Sequence, residues 1–175
     1  PAHPEALYNA GVALKALDRE EEAIAVWQRY VQHHRSGSLA ADAARNLNAA
    51  GDFSYRAFAI GKRFVVGPSP GFETQTVEID PLLVDTLDDI GPLIQVNDAL
   101  ILHIVAFAQN DAGLAENRAK TVKDRILDQY PAIPPQRVRV SWFGQAETIQ
   151  NDAGHQQLKA SINLFTETYN DTTTP

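Results

Sequence analysis

Apolar residues in the first fifty positions recur at the three-and-four spacing of amphipathic helices. This stretch is rich in Ala and contains no Pro after Pro4. The pattern predicts an antiparallel helical hairpin whose helices are joined by the turn LDRE. A third helix, LAADAARNLNAA, is expected to be capped by Ser38 and ended by Gly51. The apolar faces of the hairpin are Leu7, Ala10, Gly11 and Leu14 in the first helix, and Ala23, Ile24, Trp27 and Tyr30 in the second.

The segment 51–66 is too apolar to be a free linker. It predicts a short helix packed at a rigid junction, a break at Gly61, and a first strand at Lys62–Val66. Gly and Pro residues at 67–71 then predict a turn-rich loop. The apolar residues that indicate packing at the junction are Phe53, Tyr55, Phe58 and Ile60.

Two further helices are predicted after this loop. Asp80 and Pro81 are typical of a helix start, and Gly91-Pro92 is expected to kink or end that helix. The second helix is predicted from about Ala112 to Tyr130, where the sequence YPAIPP stops it.

Three more segments have strand patterns. Residues 99–107 are continuously apolar, as in a central strand covered on both faces. Residues 137–143 and 159–165 alternate between apolar and polar positions, which is typical of half-exposed strands. Together these elements predict an α+β fold in which helices cover a mixed four-stranded sheet. We predict a helical region at 1–60 and a sheet-containing domain at 61–170.

Charge is unevenly distributed along the chain, which limits the classes of partner. The net charge is −7, with about +1 for residues 1–66 (8 Lys and Arg against 7 Asp and Glu) and about −8 for residues 67–175 (7 against 15). An acidic half repels phosphate backbones and anionic lipid, so we expect neither nucleic acid nor a membrane surface as partner. Cys is absent, which excludes disulfides and thiolate metal sites.

Membrane insertion is not predicted for this chain. No stretch reaches the roughly 18 apolar residues of a membrane-spanning helix. Because the chain begins without Met, it is interpreted as a processed or trimmed fragment, with any signal peptide or anchor upstream.

The helical hairpin resembles a tetratricopeptide repeat. Its small residues Ala10 and Gly11 are followed by Ala23 at the spacing of such repeats, whose period is about 34 residues. The resemblance covers one repeat and a following helix, and a generic helical hairpin remains the alternative. Since these repeats bind proteins, the resemblance implies a protein-interaction role for Trp27 and Tyr30.

The second region contains the motif L-x-x-x-R-A-x-x-V within LAENRAKTVKDRIL, directly after the apolar strand. Together with the order of elements over residues 62–166, this motif resembles the OmpA-like domain shared by Pal and MotB-type envelope proteins. The resemblance implies a periplasmic or outer-membrane-associated location. It also implies a site for the diaminopimelate of peptidoglycan, in which an Asp at the strand end and the Arg of the helix grip the ligand's charged groups.

Only one of these two residues is present here. Arg118 matches the family Arg, whereas Gln109 stands where the Asp is expected and supplies no charge. Asp111 is interpreted as a helix cap that could reach into the site, and the short loop QND is expected to close the pocket. On this basis Arg118 is predicted to be structural, paired with an acidic neighbour. Substitution of Gln109 by Asp is then expected to leave binding absent.

The preferred hypothesis is therefore a non-enzymatic envelope scaffold that binds other proteins. The alternative is a peptidoglycan anchor that still binds through Arg118, with Asp111 replacing the missing Asp. No cofactor or metal is expected, because the five His residues lack metal-ligand spacing. His103 is interpreted as a hydrogen-bonded core residue, and Ser141 lacks the glycine pattern of a nucleophile elbow.

Overall fold

The computed structural model describes residues 3–151 and 154–168, which form an α+β fold. The C-terminal residues NDTTTP, expected to fray, lie outside the described residues. The helices are α1 Pro4–Ala16, α2 Glu20–His33, α3 Ser38–Ala49, α4 Pro81–Gln95 and α5 Ala112–Gln129, with a short 3-10 helix at Pro135–Arg137. The strands are β1 Tyr55–Ile60, β2 Arg63–Pro68, β3 Leu100–Ala108, β4 Val138–Phe143, β5 Glu147–Asn151, β6 Gly154–Leu158 and β7 Ala160–Thr168.

The predicted helical hairpin is present in α1 and α2, and its contact depends on a glycine. A Cβ on Gly11 would lie 2.4 Å from Nε1 of Trp27, so only glycine lets the indole ring pack this closely. Gly11 and Ala23 are buried, as expected, but Ala10 is exposed and does not take part in the contact. The cap of α3 is Gly37 rather than Ser38, which is the first helical residue. Gly51 ends this helix with a φ of 86°.

The main sheet has five strands in the order β2-β1-β7-β3-β4, so the prediction of four strands is wrong. The additional strand is β1, in the segment predicted to be a junction helix. It pairs antiparallel with β2 across a two-residue turn at Gly61 and parallel with β7. Backbone groups of this segment are therefore satisfied between two neighbouring strands. The polar hairpin of β5 and β6 was not predicted.

The two faces of the sheet are covered differently. Helices α4 and α5 cover one face and form the larger core with alternate residues of β3, such as Leu102 and Ile104. On the opposite face α3 covers only β1 and β2. Residues of β3 that point to that face, such as His103 and Val105, are half-buried. The expectation that this strand is covered on both faces is therefore only partly correct.

Helix α4 begins at the predicted Asp80 cap, whose carboxylate accepts a hydrogen bond from the Leu82 amide at 2.7 Å. It does not end at Gly91-Pro92 but continues to Gln95. The glycine serves packing instead, because a Cβ at Gly91 would lie 2.0 Å from the Tyr130 ring.

The helical region and the sheet share a core, as the predicted rigid junction requires. Val66 of β2 packs in the cluster that contains Trp27 and Leu47. Arg35 adds ion pairs to Asp85 at 3.5 Å and to Asp89 at 3.2 Å, both on α4. The division of the chain at residue 60 stays a prediction. Within residues 3–151 and 154–168, no helix has the length and apolar character needed to cross a membrane.

Candidate functional site

The predicted site residues come together at one end of the sheet, where β3 leads into α5. Asp111 caps α5 by accepting a hydrogen bond from the Leu114 amide at 2.8 Å, as predicted. Asn110 has a φ of 64°, a left-handed conformation that Asn tolerates better than most residues. The amide of Gln109 donates to the Lys159 carbonyl at 2.7 Å. This bond ties the turn to the start of β7.

Arg118 lies one and a half turns into α5 and is almost fully buried, with 2% of its surface exposed. Its Nε donates to the Thr76 carbonyl at 2.8 Å, and its Nη2 donates to the Glu73 carbonyl at 3.0 Å. The guanidinium also lies 4.9 Å above the ring centre of Phe72. Arg118 thus orders the loop between β2 and α4.

The prediction that Arg118 pairs with an acidic side chain is wrong. Its hydrogen bonds go to backbone carbonyls. Burial lowers the pKa of the Arg118 guanidinium from its ordinary value, and the charge of Asp111 acts in the opposite direction. An Arg stays charged at neutral pH despite such a shift. Its third nitrogen, Nη1, has no hydrogen-bond partner among the residues that the structure describes.

A cavity of about 300 Å³ opens beside this guanidinium. The expectation that the short QND loop closes the pocket is therefore wrong. The turn at Asn110 directs the chain straight into α5, so the cavity wall is supplied by other segments. The lining residues come from β3 and α5, from the loop after β2, and from the start of β7: Pro70, Thr74, Gln75, Ala108, Gln109, Asp111, Leu114, Arg118, Lys159 and Ala160.

The cavity contains charges of both signs. Arg118 and Lys159 are cationic, and Asp111 is anionic. One oxygen of Asp111 is used for the helix cap, while the structure gives the other no hydrogen bond among the described residues. The amide N–H groups at the start of α5 add partial positive charge. Such a set of groups complements a small zwitterion.

Lys159 is the charged residue of this cavity that the sequence prediction missed. It directly precedes β7, and its position beside Gln109 follows from the pairing of Ala108 with Ala160. No local pattern distinguishes it from any other exposed Lys. Lys159 could have been found only by predicting that β3 and β7 pair antiparallel.

Trp27 and Tyr30, the two residues predicted to contact other proteins, lie away from this cavity. Trp27 is 1% exposed and Tyr30 is 3% exposed, and both belong to the helical core. Their burial argues against direct contact with a partner.

The structure also shows the surroundings of His103 and of the possible metal ligands. His103 is half-buried and stacks on Phe165 with ring centres 5.0 Å apart. Its Nε2 lies 3.2 Å from a Glu167 oxygen but makes no hydrogen bond to the described residues, so the interpretation as a hydrogen-bonded core residue is wrong. Across the described part of the chain, no three His, Asp or Glu side chains are grouped to hold a metal.

Comparisons with known proteins show likeness to solved structures. No family model matches the sequence, and no curated protein matches it. The crystal structure of the C-terminal domain of Helicobacter pylori MotB (residues 125–256) is similar with a TM-score of 0.47 and 19% sequence identity. The match covers 58% of this chain and 84% of that chain. At this identity no residue role is transferred, and the tetratricopeptide-like interpretation of the helices stays a prediction.

Proposed function

We propose that this protein is a non-enzymatic cell-envelope protein that binds peptidoglycan through the diaminopimelate of its stem peptide. The observation that carries the proposal is the open cavity in which Asp111 lies with Arg118 and Lys159. Free ends of diaminopimelate carry an ammonium and a carboxylate on one carbon atom. A site for them needs an acidic and a basic group close together, with room between.

Arg118 supplies the basic group in a fixed position. Its two bonds to the carbonyls of Glu73 and Thr76 and its stacking on Phe72 hold the guanidinium plane still. A group ordered before binding loses little entropy when the ligand arrives. Nη1 then donates to the ligand carboxylate in a charge-assisted hydrogen bond. Lys159 and the N-terminus of α5 add to the attraction.

Asp111 supplies the acidic group, as the alternative hypothesis from the sequence required. The oxygen that does not cap α5 accepts a hydrogen bond from the ligand ammonium, and the side-chain carbonyl of Gln109 accepts a second one. Asp111 is the one carboxylate among the described residues that line the cavity, so the contact with the ammonium is assigned to it.

The test is sedimentation with purified sacculi, followed by calorimetry with a diaminopimelate-containing stem peptide. Asp111→Ser is the informative variant, because Ser keeps the helix cap and removes only the charge. We expect its affinity to fall about tenfold, the loss of one charge-assisted bond. Lys159→Ala is expected to reduce affinity by a smaller factor, since Lys159 is exposed.

Lys120→Ala is the matched control for charge on the same helix. Lys120 is exposed, pairs with Glu116 at 2.6 Å and lies outside the cavity lining. Its substitution should leave sedimentation unchanged. The proposal is wrong if the native chain stays in solution, or if Asp111→Ser sediments as well as the native chain does.

Binding to other envelope proteins is the second candidate, and it now depends on different residues. Two apolar side chains are exposed in the helical region, Val12 at 44% on α1 and Leu17 at 65% directly after it. Replacement of both by Ser should abolish a complex recovered from a native envelope extract without lowering stability. Recovery of only the free monomer from the native protein, at all concentrations, would contradict this candidate.

A further inference from the structure

A second cavity of about 330 Å³ adjoins the first and shares Gln109 with it. This volume lies in the range of small-ligand sites, about 300–1,000 Å³. The side chains that line it are amides, a hydroxyl and a methyl group, with no charged residue among them: Gln109, Asn110, Gln145, Ala146, Thr148 and Gln157. Its chemistry therefore differs from that of the charged cavity on the other side of Gln109.

The outer wall of this second cavity is the hairpin of β5 and β6. Thr148 and Gln157 are directly opposite each other in that hairpin and so point to the same face. The neighbouring Glu147 anchors the hairpin, because its carboxylate accepts bonds from Arg56 at 2.5 Å and from the Ser161 hydroxyl at 2.6 Å. Glu147 and Arg56 are largely buried, with side chains 12% and 16% exposed.

The inner wall is held by the backbone. The Asn110 amide donates to the Gly144 carbonyl at 3.1 Å, which joins the turn before α5 to the turn after β4. A Cβ on Gly144 would lie 2.9 Å from the Cβ of Ala112 and 3.1 Å from its amide nitrogen, so glycine allows this approach. Both walls of the cavity are thus fixed by Glu147 and by backbone contacts. The side chains that line the cavity are not needed for these contacts.

We propose that this second cavity binds an uncharged sugar of the glycan strand, next to the peptide group bound in the charged cavity. Each side-chain amide both donates and accepts hydrogen bonds, as a sugar hydroxyl or acetamido group does. A charged ligand group would find no counter-ion among the described residues of this lining. The identity of the ligand rests on the proposed function, whereas the preference for a neutral polar group rests on the lining residues alone.

Gln109 is the physical link between the two cavities. Because it borders both, one ligand with a zwitterionic part and a neutral part can occupy the two together. Binding of the second part then adds to the first without a further loss of translational freedom. The glycan–peptide of the cell wall is a ligand of this chemical type.

The experiment is calorimetry of the whole chain with three probes: the stem tripeptide, the disaccharide alone, and the disaccharide joined to the tripeptide. We expect the joined probe to bind the native chain about tenfold more tightly than the tripeptide, the value of one or two net hydrogen bonds. The double variant Thr148→Ala/Gln157→Ala should lose this tenfold difference and keep its affinity for the tripeptide. Both side chains are exposed, so the variant is expected to retain the native thermal midpoint.

Gln150→Ala is the matched control, since Gln150 is an exposed amide on β5 outside the cavity lining. It should keep the full difference between the two probes. Equal binding of tripeptide and joined probe to the native chain would overturn this inference and leave the proposed function intact. If the disaccharide binds, the tripeptide does not, and the double variant loses the disaccharide, the result would support the sugar site and overturn the proposed peptide site. Failure of all three probes to bind overturns both.

Discussion

Two arginines with largely buried side chains lie at opposite ends of the sheet, and their hydrogen bonds separate a structural role from the proposed binding role. At the end where β3 begins, Arg137 donates from Nε to the Leu100 carbonyl at 2.9 Å and from Nη2 to the carbonyls of Ile94 and Asn97. Its Nη1 donates to Asp98 at 3.3 Å. All three nitrogens of Arg137 are therefore engaged by the protein.

At the end where β3 finishes, Arg118 also binds backbone carbonyls, but with two of its nitrogens. The third, Nη1, has no hydrogen-bond partner among the described residues, and Arg118 lines a cavity that also contains Asp111. Burial and carbonyl bonding are common to both arginines, so neither property identifies a ligand-binding Arg. The difference is the unused donor beside open space. Arg118 is held as a structural Arg is held, and it still has a group to offer a ligand.

The largest effect is expected for Arg137→Met, which keeps the apolar stem and removes every donor. Up to three backbone carbonyls lose their partners, and we expect the free energy of unfolding to fall by about 2–4 kcal/mol. Urea denaturation measures this change. Sacculus binding by the folded protein should stay at the native level. A loss of binding without a loss of stability would remove the distinction between the two ends.

Arg118→Lys tests the other end, because Lys retains the charge but lacks the planar fork. One ammonium cannot satisfy both carbonyls and the ligand, so we expect a stability loss of about 1–2 kcal/mol and about a tenfold loss of stem-peptide affinity. Denaturation and calorimetry on the same sample separate the two effects. Native affinity in this variant would mean that Arg118 only orders the loop at 72–79.

Gln109→Asp strengthens the binding end without touching Arg118. Because the cavity is open, we now expect a gain in stem-peptide affinity, in contrast to the expectation from the sequence. The gain should be about tenfold, the difference between a neutral and a charge-assisted hydrogen bond to the ammonium. Calorimetry with Gln109→Glu as control tests placement of the charge, since the longer side chain shifts the carboxylate. Unchanged affinity in both variants would place the ammonium away from Gln109.

The smallest effect is expected from salt. Raising NaCl from about 0.05 M to about 0.5 M screens the partly exposed charges Asp111 and Lys159 and should lower stem-peptide affinity about threefold. Affinity for the disaccharide alone should not change, because none of the described residues that line the second cavity is charged. Denaturation of Arg137→Met at both salt concentrations is the control. Its stability deficit should persist because most of its lost bonds are to uncharged backbone carbonyls.

The sequence was sufficient for elements with a strong local signal. The caps at Asp80 and Asp111 and the helices that follow them depend on hydrogen bonds within one turn, so their residues alone predict them. The apolar run that forms β3 likewise indicates a central strand. The contact at Gly11 could be anticipated because small residues at helical spacing are typical of two helices that pack closely.

Elements that depend on distant partners were predicted wrongly or missed. The apolar residues of β1 fit a short helix as well as a strand, and pairing with β2 and β7 decides between them. The hairpin at Glu147–Asn151 and Gly154–Leu158 is polar and gives little strand signal. The hairpin is held in place by the hydrogen bond that Arg56 donates to Glu147, 91 residues away in the chain.

The candidate site shows the same division. The sequence by itself determined that Arg118 lies on a helix after a buried strand, that Asp111 caps this helix, and that Gln109 carries no charge. Only the tertiary structure decided that the pocket is open, that Lys159 borders it, and that carbonyls of the loop hold Arg118. Those features depend on which strands pair and on how a loop packs, and such contacts join residues that no local periodicity relates.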